Sequence, residues 1–373
     1  IQIDGVASFE NGTNIKLTIA DDAGLEGGDT LTEVVSATTL ESSTFSITDN
    51  EVGLSFAAVD AGDDTLDIVA TAHDFTNLVE ATRIAGRSAA EGAASAMDSL
   101  IANDSSGDQA FFFGSMNDSS QMANIVESLV PSLSGGVAQL TSLEGNSITD
   151  AVASRQSALN GISTDSNVSQ RNVWIKAISG TLEVDDSNSL AGYESDRDGF
   201  AFGIDRKVSP NWTLGAAVAD STSEAMSRLS AGAHNLNMDS IHFKLYATAE
   251  LDNAGLLNIQ LGRGAVDYES VRTIHSGQSA RADYSGDYTS AAVELSYAME
   301  PSKKTLVMPY VSLDYGKVNV DAYTETGAGG MNLNVESQRY DSLIFGLGLK
   351  AQHAISDSVV LSWDTGVGFD KRS

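Results

Sequence analysis

The stretch that decides the fold reads Phe200-Ala201-Phe202-Gly203-Ile204-Asp205. In a β-strand, successive side chains point to opposite faces of the sheet. One face of this strand therefore carries Phe200, Phe202 and Ile204, whereas the other carries small or acidic residues. A soluble β-sandwich buries such an apolar face, and a membrane β-barrel turns it toward lipid and keeps a polar interior. The function of the chain depends on which arrangement applies.

The same alternation recurs between Asn172 and Asp370, in segments separated by loops rich in Gly, Asp and Ser. We predict nine strands, at residues 172–182, 199–208, 211–220, 236–251, 255–271, 282–299, 305–320, 332–352 and 358–370. Tight turns at 209–211 and 356–357 contrast with longer loops at 185–197, 221–235 and 322–331. Short turns at one end and long loops at the other are typical of bacterial outer-membrane barrels.

The two faces of these predicted strands differ in polarity. The outward face carries large apolar side chains, namely Trp212, Leu214, Val218, Ile241, Phe243, Leu245, Leu257, Ile259, Leu261, Val293, Leu295, Tyr297, Val311, Leu313, Tyr315, Leu343, Phe345, Leu347 and Leu349. The inward face is polar or charged and carries His242, Lys244, Glu250, Asn258, Gln260, Glu294, Ser296, Ser312, Asp314, Ser362 and Asp364. Charged side chains on the inner face fit a water-filled interior and not the dry core of a sandwich.

Composition excludes several classes of protein. The chain has 373 residues, no cysteine and a formal net charge of −30. The absence of cysteine excludes disulfides and thiolate metal sites, and the acidity argues against nucleic-acid binding, which needs a basic surface. No run of about 18 apolar residues is present, which excludes a transmembrane helix but not a membrane barrel. Because the chain starts at Ile1 without a signal sequence, we expect it to lack its true N-terminus.

Residues 1–72 read as short strands joined by turns. The predicted strands lie at 15–19, 30–37, 44–48, 53–59 and 65–70. The acidic stretches between them, at 21–24, 26–29 and 60–64, have the composition of turns. Clustered carboxylates can also bind calcium, but these stretches lack the spacing of an EF-hand loop. Plain turns are the favoured interpretation.

Residues 73–171 read as helical. Asp74 is a candidate N-cap of a first helix, which continues through Ala-rich sequence to Ile101. A second helix places one apolar face before a break at Pro131, and that face carries Met122, Ile125, Val126, Leu129 and Val130. A third helix is predicted at 147–163, where Ser147 opens a sequence similar to a capping box. Because this helix has few apolar residues, it suits a wet, polar channel.

The sequence shows no catalytic, cofactor-binding or metal-binding motif, and we predict that the chain is not an enzyme. The five histidines are scattered, at His73, His234, His242, His275 and His353. His242, Lys244 and Glu250 either line a conduction path or bond to helix 147–163, whose Arg155 and Gln156 otherwise lack partners. Aromatic girdles are expected at the membrane interfaces, with candidates at Trp174, Trp212, Tyr297, Tyr315 and Trp363.

Several stretches together resemble a known family. They are Gly199 to Asp205, Trp212-Thr213-Leu214-Gly215, Met308 to Tyr315, Leu347-Gly348-Leu349 and the segment Val137 to Asn146. The order of a β-rich segment, a helical region, a lumen-type helix and alternating strands is similar to the C-terminal part of type V, pertactin-like autotransporters. Residues 1–72 look like the last turns of a β-solenoid passenger.

The resemblance implies a mainly β fold in three parts. Residues 172–373 would be an antiparallel transmembrane β-barrel, residues 73–171 a helical linker with lumen helix 147–163, and residues 1–72 the end of the passenger. The implied function is an outer-membrane translocator of a Gram-negative bacterium, which exports and anchors its own passenger at the cell surface. The implied partners of this monomer are outer-membrane lipid, the barrel-assembly machinery and periplasmic chaperones. No cofactor is implied.

Three features depart from the family pattern. The family barrel has twelve strands and ends on an aromatic residue, whereas about nine strands are visible here and the chain ends at Ser373. We therefore expect a sequence truncated at both ends. Some family members also cut themselves at an Asn-Asn pair in the linker helix. Asn146, Asn160 and Asn167 stand alone, so self-cleavage is not predicted.

Two other functions remain open at this point. An independent porin-like channel would show the same strands but has no reason to thread helix 147–163. A soluble extracellular β-rich adhesin would pack its sheets together and need no detergent. Inward Lys244, Glu250 and Glu294 count against the soluble alternative, because a dry core does not accommodate them.

Overall fold

The computed structural model describes residues 1–20, 23–41, 44–131, 133, 136–160, 172–185, 192–228, 233–274, 277–356 and 359–372. Within these ranges the chain forms a small N-terminal β-region, a group of short helices, one long helix and a large antiparallel sheet. None of the helices in these ranges is both long and apolar enough to cross a membrane.

In its described residues, the N-terminal β-region contains six strands: β1 (Gln2–Ser8), β2 (Thr13–Lys16), β3 (Thr30–Glu41), β4 (Phe45–Thr48), β5 (Leu54–Asp60) and β6 (Thr65–Ala72). β1 pairs with β3 and β2 pairs with β4, in both cases in parallel. The last two strands form an antiparallel hairpin that continues the sheet in the order β1-β3-β6-β5. Sequence reasoning found five of these strands and missed β1.

Four short helices follow: α1 (Leu78–Ile84), α2 (Glu91–Asn103), α3 (Asp108–Gly114) and α4 (Ser119–Glu127). The predicted N-cap Asp74 is wrong. Asn77 caps α1 instead, since its side chain accepts a hydrogen bond from the backbone N–H of Glu80. The predicted apolar face of α4 and of the turn after it is confirmed, because all five of its residues are buried: Met122, Ile125, Val126, Leu129 and Val130.

The long helix α5 spans Gly136–Asn160. The predicted start at Ser147 is therefore wrong, since the helix begins well before it. Ser147 lies inside the helix, where its hydroxyl bonds back to the carbonyl of Leu143. Residues 161–163 of the predicted helix lie outside the described residues.

The large sheet contains nine long strands in the described ranges: β7 (Val173–Val184), β8 (Tyr193–Ser209), β9 (Trp212–Ser227), β10 (His234–Glu250), β11 (Gly255–Thr273), β12 (Ser279–Tyr297), β14 (Thr305–Val320), β17 (Gln338–Ser356) and β18 (Val359–Arg372). Each pairs antiparallel with the next along the chain. The short strand β13 (Met299–Ser302) adds to β14, and β15 (Tyr323–Thr324) pairs with β16 (Asn334–Val335). The prediction of nine strands is confirmed.

The sheet is strongly curled around α5. This helix contacts β7, β9, β10, β11, β12, β14 and β17, and its Arg155 also reaches β8. In a flat sheet β7 and β17 would lie roughly 34 Å apart, about three times the ~10 Å diameter of a helix. One helix can touch all of these strands only if the sheet wraps around it. Within the described ranges β7 and β18 form the sheet edges and do not pair with each other.

The polarity of the two faces of the sheet changes along the length of the strands. In β10, the outward residues Ile241, Phe243 and Leu245 are exposed and apolar, and the inward residues at this level are polar. Toward the long-loop end the pattern inverts, so that Asp239 faces outward and Met238 inward. The predicted loops at 185–197 and 221–235 were too long for this reason, because β8, β9 and β10 extend into them with the opposite pattern.

Candidate functional site

The inner face of the curled sheet and helix α5 form the candidate site. The N-terminal part of α5 packs at the long-loop end, where Val137 and Leu140 meet an apolar set of strand residues that we call the outer collar: Tyr193, Ala225, Leu236, Met238, Val266, Tyr268, Ala282, Tyr284, Val318 and Val320. Farther along the helix the surrounding side chains become polar. The helix therefore runs from an apolar zone into a polar one.

An ion pair fixes the C-terminal end of α5 to β8. The guanidinium of Arg155 binds the Asp205 carboxylate through both oxygens, with Nε to Oδ2 at 2.7 Å and Nη2 to Oδ1 at 2.9 Å. The hydroxyl of Tyr246 donates to the same carboxylate at 2.8 Å, and the indole of Trp174 donates to Tyr246. A buried ion pair needs such additional hydrogen bonds, because desolvation of the two charges is costly.

Gln156 joins the helix to β10 and β11. Its amide nitrogen donates to the carbonyl of Ala247 at 2.8 Å, and its amide oxygen accepts from Gln260 at 3.0 Å. The polar contacts continue across the sheet through Asn258 to Glu294. Glu294 in turn pairs with Lys350 of β17. The lumen wall is thus hydrogen-bonded to the helix and across its own strands.

Two more polar contacts lie nearer the middle of α5. Glu144 is almost fully buried and accepts hydrogen bonds from the hydroxyls of Ser221 and Ser223 on β9. Lys244 of β10 is 1% exposed and donates to Thr149 of the helix at 2.6 Å and to Ser290 of β12 at 2.7 Å. Glu144 and Lys244 therefore each bind side chains of other elements.

Glycine permits close approach in this interior. A Cβ on Gly145 of α5 would lie 2.0 Å from the ring of Tyr288, so only glycine lets the helix pass this side chain. The glycines of the strands instead make room for aromatic side chains of neighbouring strands. Gly203 lies under the indole of Trp174, and Gly348 lies under the ring of Tyr310. Aromatic side chains that cover strand glycines pin the register of a sheet.

The outer face of the sheet is apolar at the level of this polar wall. Phe200, Phe202 and Ile204 are 63%, 47% and 52% exposed, whereas Ala201 and Asp205 of the same strand are buried against α5. The predicted outward side chains lie on this face; Leu257 and Ile259 are half-buried and the others exposed. The exposed apolar face and the polar interior together are the arrangement of a membrane barrel.

The remaining interior space is divided into polar cavities. One, of about 300 Å³, is bordered by Glu144 and Arg197, and another, of about 570 Å³, is bordered by Asp150, Lys350 and Asp364. Among the described residues, no group of three or more His, Cys, Asp or Glu side chains is placed to hold a metal ion. The cavities suit water and counter-ions between the helix and the wall.

The structure separates the three residues that sequence reasoning had grouped around helix 147–163. Lys244 binds the helix, as one of the two interpretations required. His242 is buried in the wall and packs against the ring of Tyr288. Glu250 does not contact the helix, because it lies at the exposed end of β10 and pairs with Lys207.

The predicted girdle residues do not all lie on the outer face. Trp174 is not a girdle residue, since its indole points inward to Tyr246. Trp212, Tyr297, Tyr315 and Trp363 lie on the outer face, and their role at the membrane interfaces stays a prediction. His275 and Asn167 lie outside the described residues.

Sequence reasoning missed Asp205 and Tyr246 as partners of the helix. Asp205 is the polar residue that follows the apolar alternation of β8, and that position was its only signal. Tyr246 shares the inward face with His242 and Lys244, but an aromatic residue among polar neighbours gave no indication of its contact.

Comparison with known proteins identifies the family. A family model for the autotransporter beta-domain matches residues 173–370. The chain belongs to the autotransporter β-domain family. It is 24% identical over 202 residues to "Esterase EstA" of Pseudomonas aeruginosa and, with the same figures, to that of Pseudomonas putida. The match covers 52% of this chain and 31% of EstA, so the chain spans about a third of the length of these relatives.

A solved structure agrees on the fold. The translocator domain of autotransporter NalP from Neisseria meningitidis matches with a TM-score of 0.52 at 17% identity, over 63% of this chain and 80% of that chain. The predictions of the family, of an antiparallel transmembrane barrel fold with an internal helix, and of an outer-membrane translocator are confirmed. The β-domain of this autotransporter is a translocator domain of type V secretion and is located in the outer membrane.

Proposed function

We propose that this translocator domain anchors a passenger that lies outside the long-loop end of the barrel, and that the part of the chain from Ile1 to Ala72 is the end of that passenger. The observation that carries the proposal is the direction of α5. Its first turns lie in the outer collar at the long-loop end, and its last turns bind Asp205 and Thr248 beside the tight turns. The residues before α5 therefore leave the lumen at the long-loop end.

The ends of the barrel are distinguished by their connections. Tight connections follow β8, β10 and β17, whereas the segment between β14 and β17 is long. In bacterial outer-membrane barrels, short turns face the periplasm and long loops face the outside. This rule orients the N-terminal β-region toward the cell surface.

The pairing in the N-terminal β-region supports its assignment to a β-solenoid. In a solenoid each coil stacks on the next, so that residues pair in parallel with residues one coil later. Gln2 pairs with Ser36, and Asn14 pairs with Ser46, with a hydrogen bond between the two latter side chains. The β5–β6 hairpin then ends the stack.

The polar network around α5 holds the helix inside the barrel after export. Arg155, Gln156 and Glu144 are buried and satisfied by the wall, so that the helix is retained in the lumen. We further propose insertion by the barrel-assembly machinery with periplasmic chaperones, and action as a monomer without catalysis in the β-domain. The apolar outer face of the described strands supports insertion in lipid.

An epitope experiment in a Gram-negative host tests the orientation. One tag is inserted in the β5–β6 turn at 61–64, and a matched tag is inserted at Lys303-Lys304 between β13 and β14. We expect antibody to reach the first tag on intact cells and the second only after the outer membrane is permeabilised. The reverse result would refute the orientation. Recovery of both tags in the soluble fraction would favour the soluble adhesin.

A further inference from the structure

The helices α1–α4 pack on the long-loop end of the barrel. Their apolar side chains form one buried cluster with Ile274, Ala280 and Ala328, which belong to the barrel end and its long connection. Helices of 7, 13, 7 and 9 residues are too short to be stable in isolation. Their stability therefore depends on packing in this cluster, to which the barrel end contributes. We call the four helices and the turns between them, residues 78–130, the cap.

One arginine joins three segments at the contact. Arg272, at the end of β11, is fully buried. Its Nε donates to Glu325 at 3.0 Å, its Nη1 donates to the carbonyl of Ser128 at 2.8 Å, and its Nη2 donates to the carbonyl of Met331 at 2.8 Å. Ser128 belongs to the cap, whereas Glu325 and Met331 belong to the connection between β14 and β17.

The chemistry of this contact requires all three segments. Ser128 is the C-cap residue of α4, where free carbonyls and the helix dipole favour a cation. Glu325 also accepts a hydrogen bond from the backbone N–H of Leu333. A buried guanidinium is tolerated only when its donors and its charge are satisfied. Departure of the cap would leave the Nη1 donor of Arg272 without the Ser128 carbonyl.

We propose that the cap is a lid that closes the long-loop end of the barrel once export is complete, and that Arg272 is its latch. The proposal rests on the proposed function, because residues 78–130 precede α5 and can fold against the outer mouth only after they have left the lumen. The cluster of the cap is separate from the outer collar, so the cap forms a second layer in addition to α5.

Thiol labelling of the full protein in the outer membrane tests the lid. The chain has no cysteine, so single reporters can be placed on β12 by Ala280→Cys, which is 1% exposed in the cluster, and by Asp283→Cys, which is exposed on the outer face. A membrane-impermeant maleimide is added to intact cells. We expect the reporter at 280 to react at least ~10-fold more slowly than that at 283, because it reacts only through local opening.

The latch is tested by adding Arg272→Gln to each reporter. We expect the protection at 280 to be lost while the rate at 283 stays unchanged. Equal rates at 280 and 283 in the parent would overturn the lid, and protection that survives Arg272→Gln would overturn the latch. Heat-modifiable migration on gels restricts the measurement to assembled barrel. If Arg272→Gln does not assemble, Arg272→Lys takes its place with the same two outcomes, because it keeps the positive charge but lacks the guanidinium fork that joins the three segments.

The tag at 61–64 separates failure of the lid from failure of the proposed function. A tag that antibody reaches on intact cells, together with an unprotected reporter at 280, would refute the lid and leave the translocator orientation standing. A tag that antibody cannot reach would refute the orientation itself.

Discussion

At the scale of single residues, two ion pairs near the tight-turn end differ mainly in burial. The side chains of Arg155 and Asp205 are 6% and 3% exposed, whereas those of Lys207 and Glu250 are 54% and 50% exposed. We expect Asp205→Asn to cost about 3–5 kcal/mol, because it leaves a buried guanidinium without its counter-charge. Glu250→Gln should cost less than about 1 kcal/mol. The temperature at which the folded barrel loses its gel mobility compares the two, and equal losses would contradict the assigned burial.

A second residue-scale prediction concerns the helix glycines. Gly145→Ala places a methyl group against the ring of Tyr288 and should destabilise the docked helix by about 1–3 kcal/mol through overpacking. Gly92→Ala in α2 is the matched control, since a Cβ there meets nothing and alanine favours a helix by about 0.8–1.0 kcal/mol. In a double-mutant cycle, Tyr288→Leu should recover part of the loss. Additive effects would show that the two residues are not in contact.

A third residue-scale prediction is a pH dependence near the cap. Burial raises the pKa of Asp49 to about 6, although a hydrogen bond from the backbone N–H of Glu51 opposes the shift. Because the pKa is raised in the folded state, folding favours the protonated form, and this residue's contribution to stability falls as the pH rises from about 4 to about 6. Asp49→Asn should remove that loss. The check is the difference in urea midpoint between parent and variant, which should be larger at pH ~7 than at pH ~4.

At the scale of a strand, the two faces have different tolerances for charge. Leu347 lies on the outward face of β17, between its register partners Val311 and Val367. Leu347→Arg should impair assembly in the membrane, since a charge on the lipid face near mid-bilayer costs about 2–4 kcal/mol. Ser362→Arg, on the inward face of β18, should be tolerated better. The yield of heat-modifiable barrel measures both, and equal yields would refute the assigned faces.

The strands were predictable because their signal is local. Alternation within five residues, as in Phe200 to Ile204, already assigns the faces. The start of α5 was not predictable in this way, since Gly145 and the serines near it favour other structures. This part of the helix is stabilised by residues distant in sequence, since Gly145 lies against Tyr288 and Glu144 binds the serines of β9. The partners of Arg155 and Gln156 depend on the same long-range register, and so they too could not be assigned.

At the scale of the whole molecule, acidic side chains cover the outward face toward the long loops. Several lie opposite each other on neighbouring strands, such as Asp239 with Asp267 and Glu269 with Asp283. Like charges in such positions are destabilising, and salt screens exposed charges. We expect Asp239→Asn to raise stability by about 0.2–1 kcal/mol at low ionic strength and to have no effect near 1 M salt, where the Debye length is about 3 Å. A gain that persists in high salt would refute an electrostatic cause.

The inversion of polarity along the strands limits how the length of a strand can change. Removing or adding one residue in β10 would shift its register by one and move the outward side chains to the inward face. Ile241 would then no longer face lipid, and Asp239 would no longer face water. Adding a pair keeps every face and lengthens a strand by roughly 7 Å. A hairpin such as β9–β10 can therefore grow or shrink above the bilayer in steps of two residues in each strand. The part of the protein that meets the environment can thus be remodelled while the part that meets lipid stays as it is.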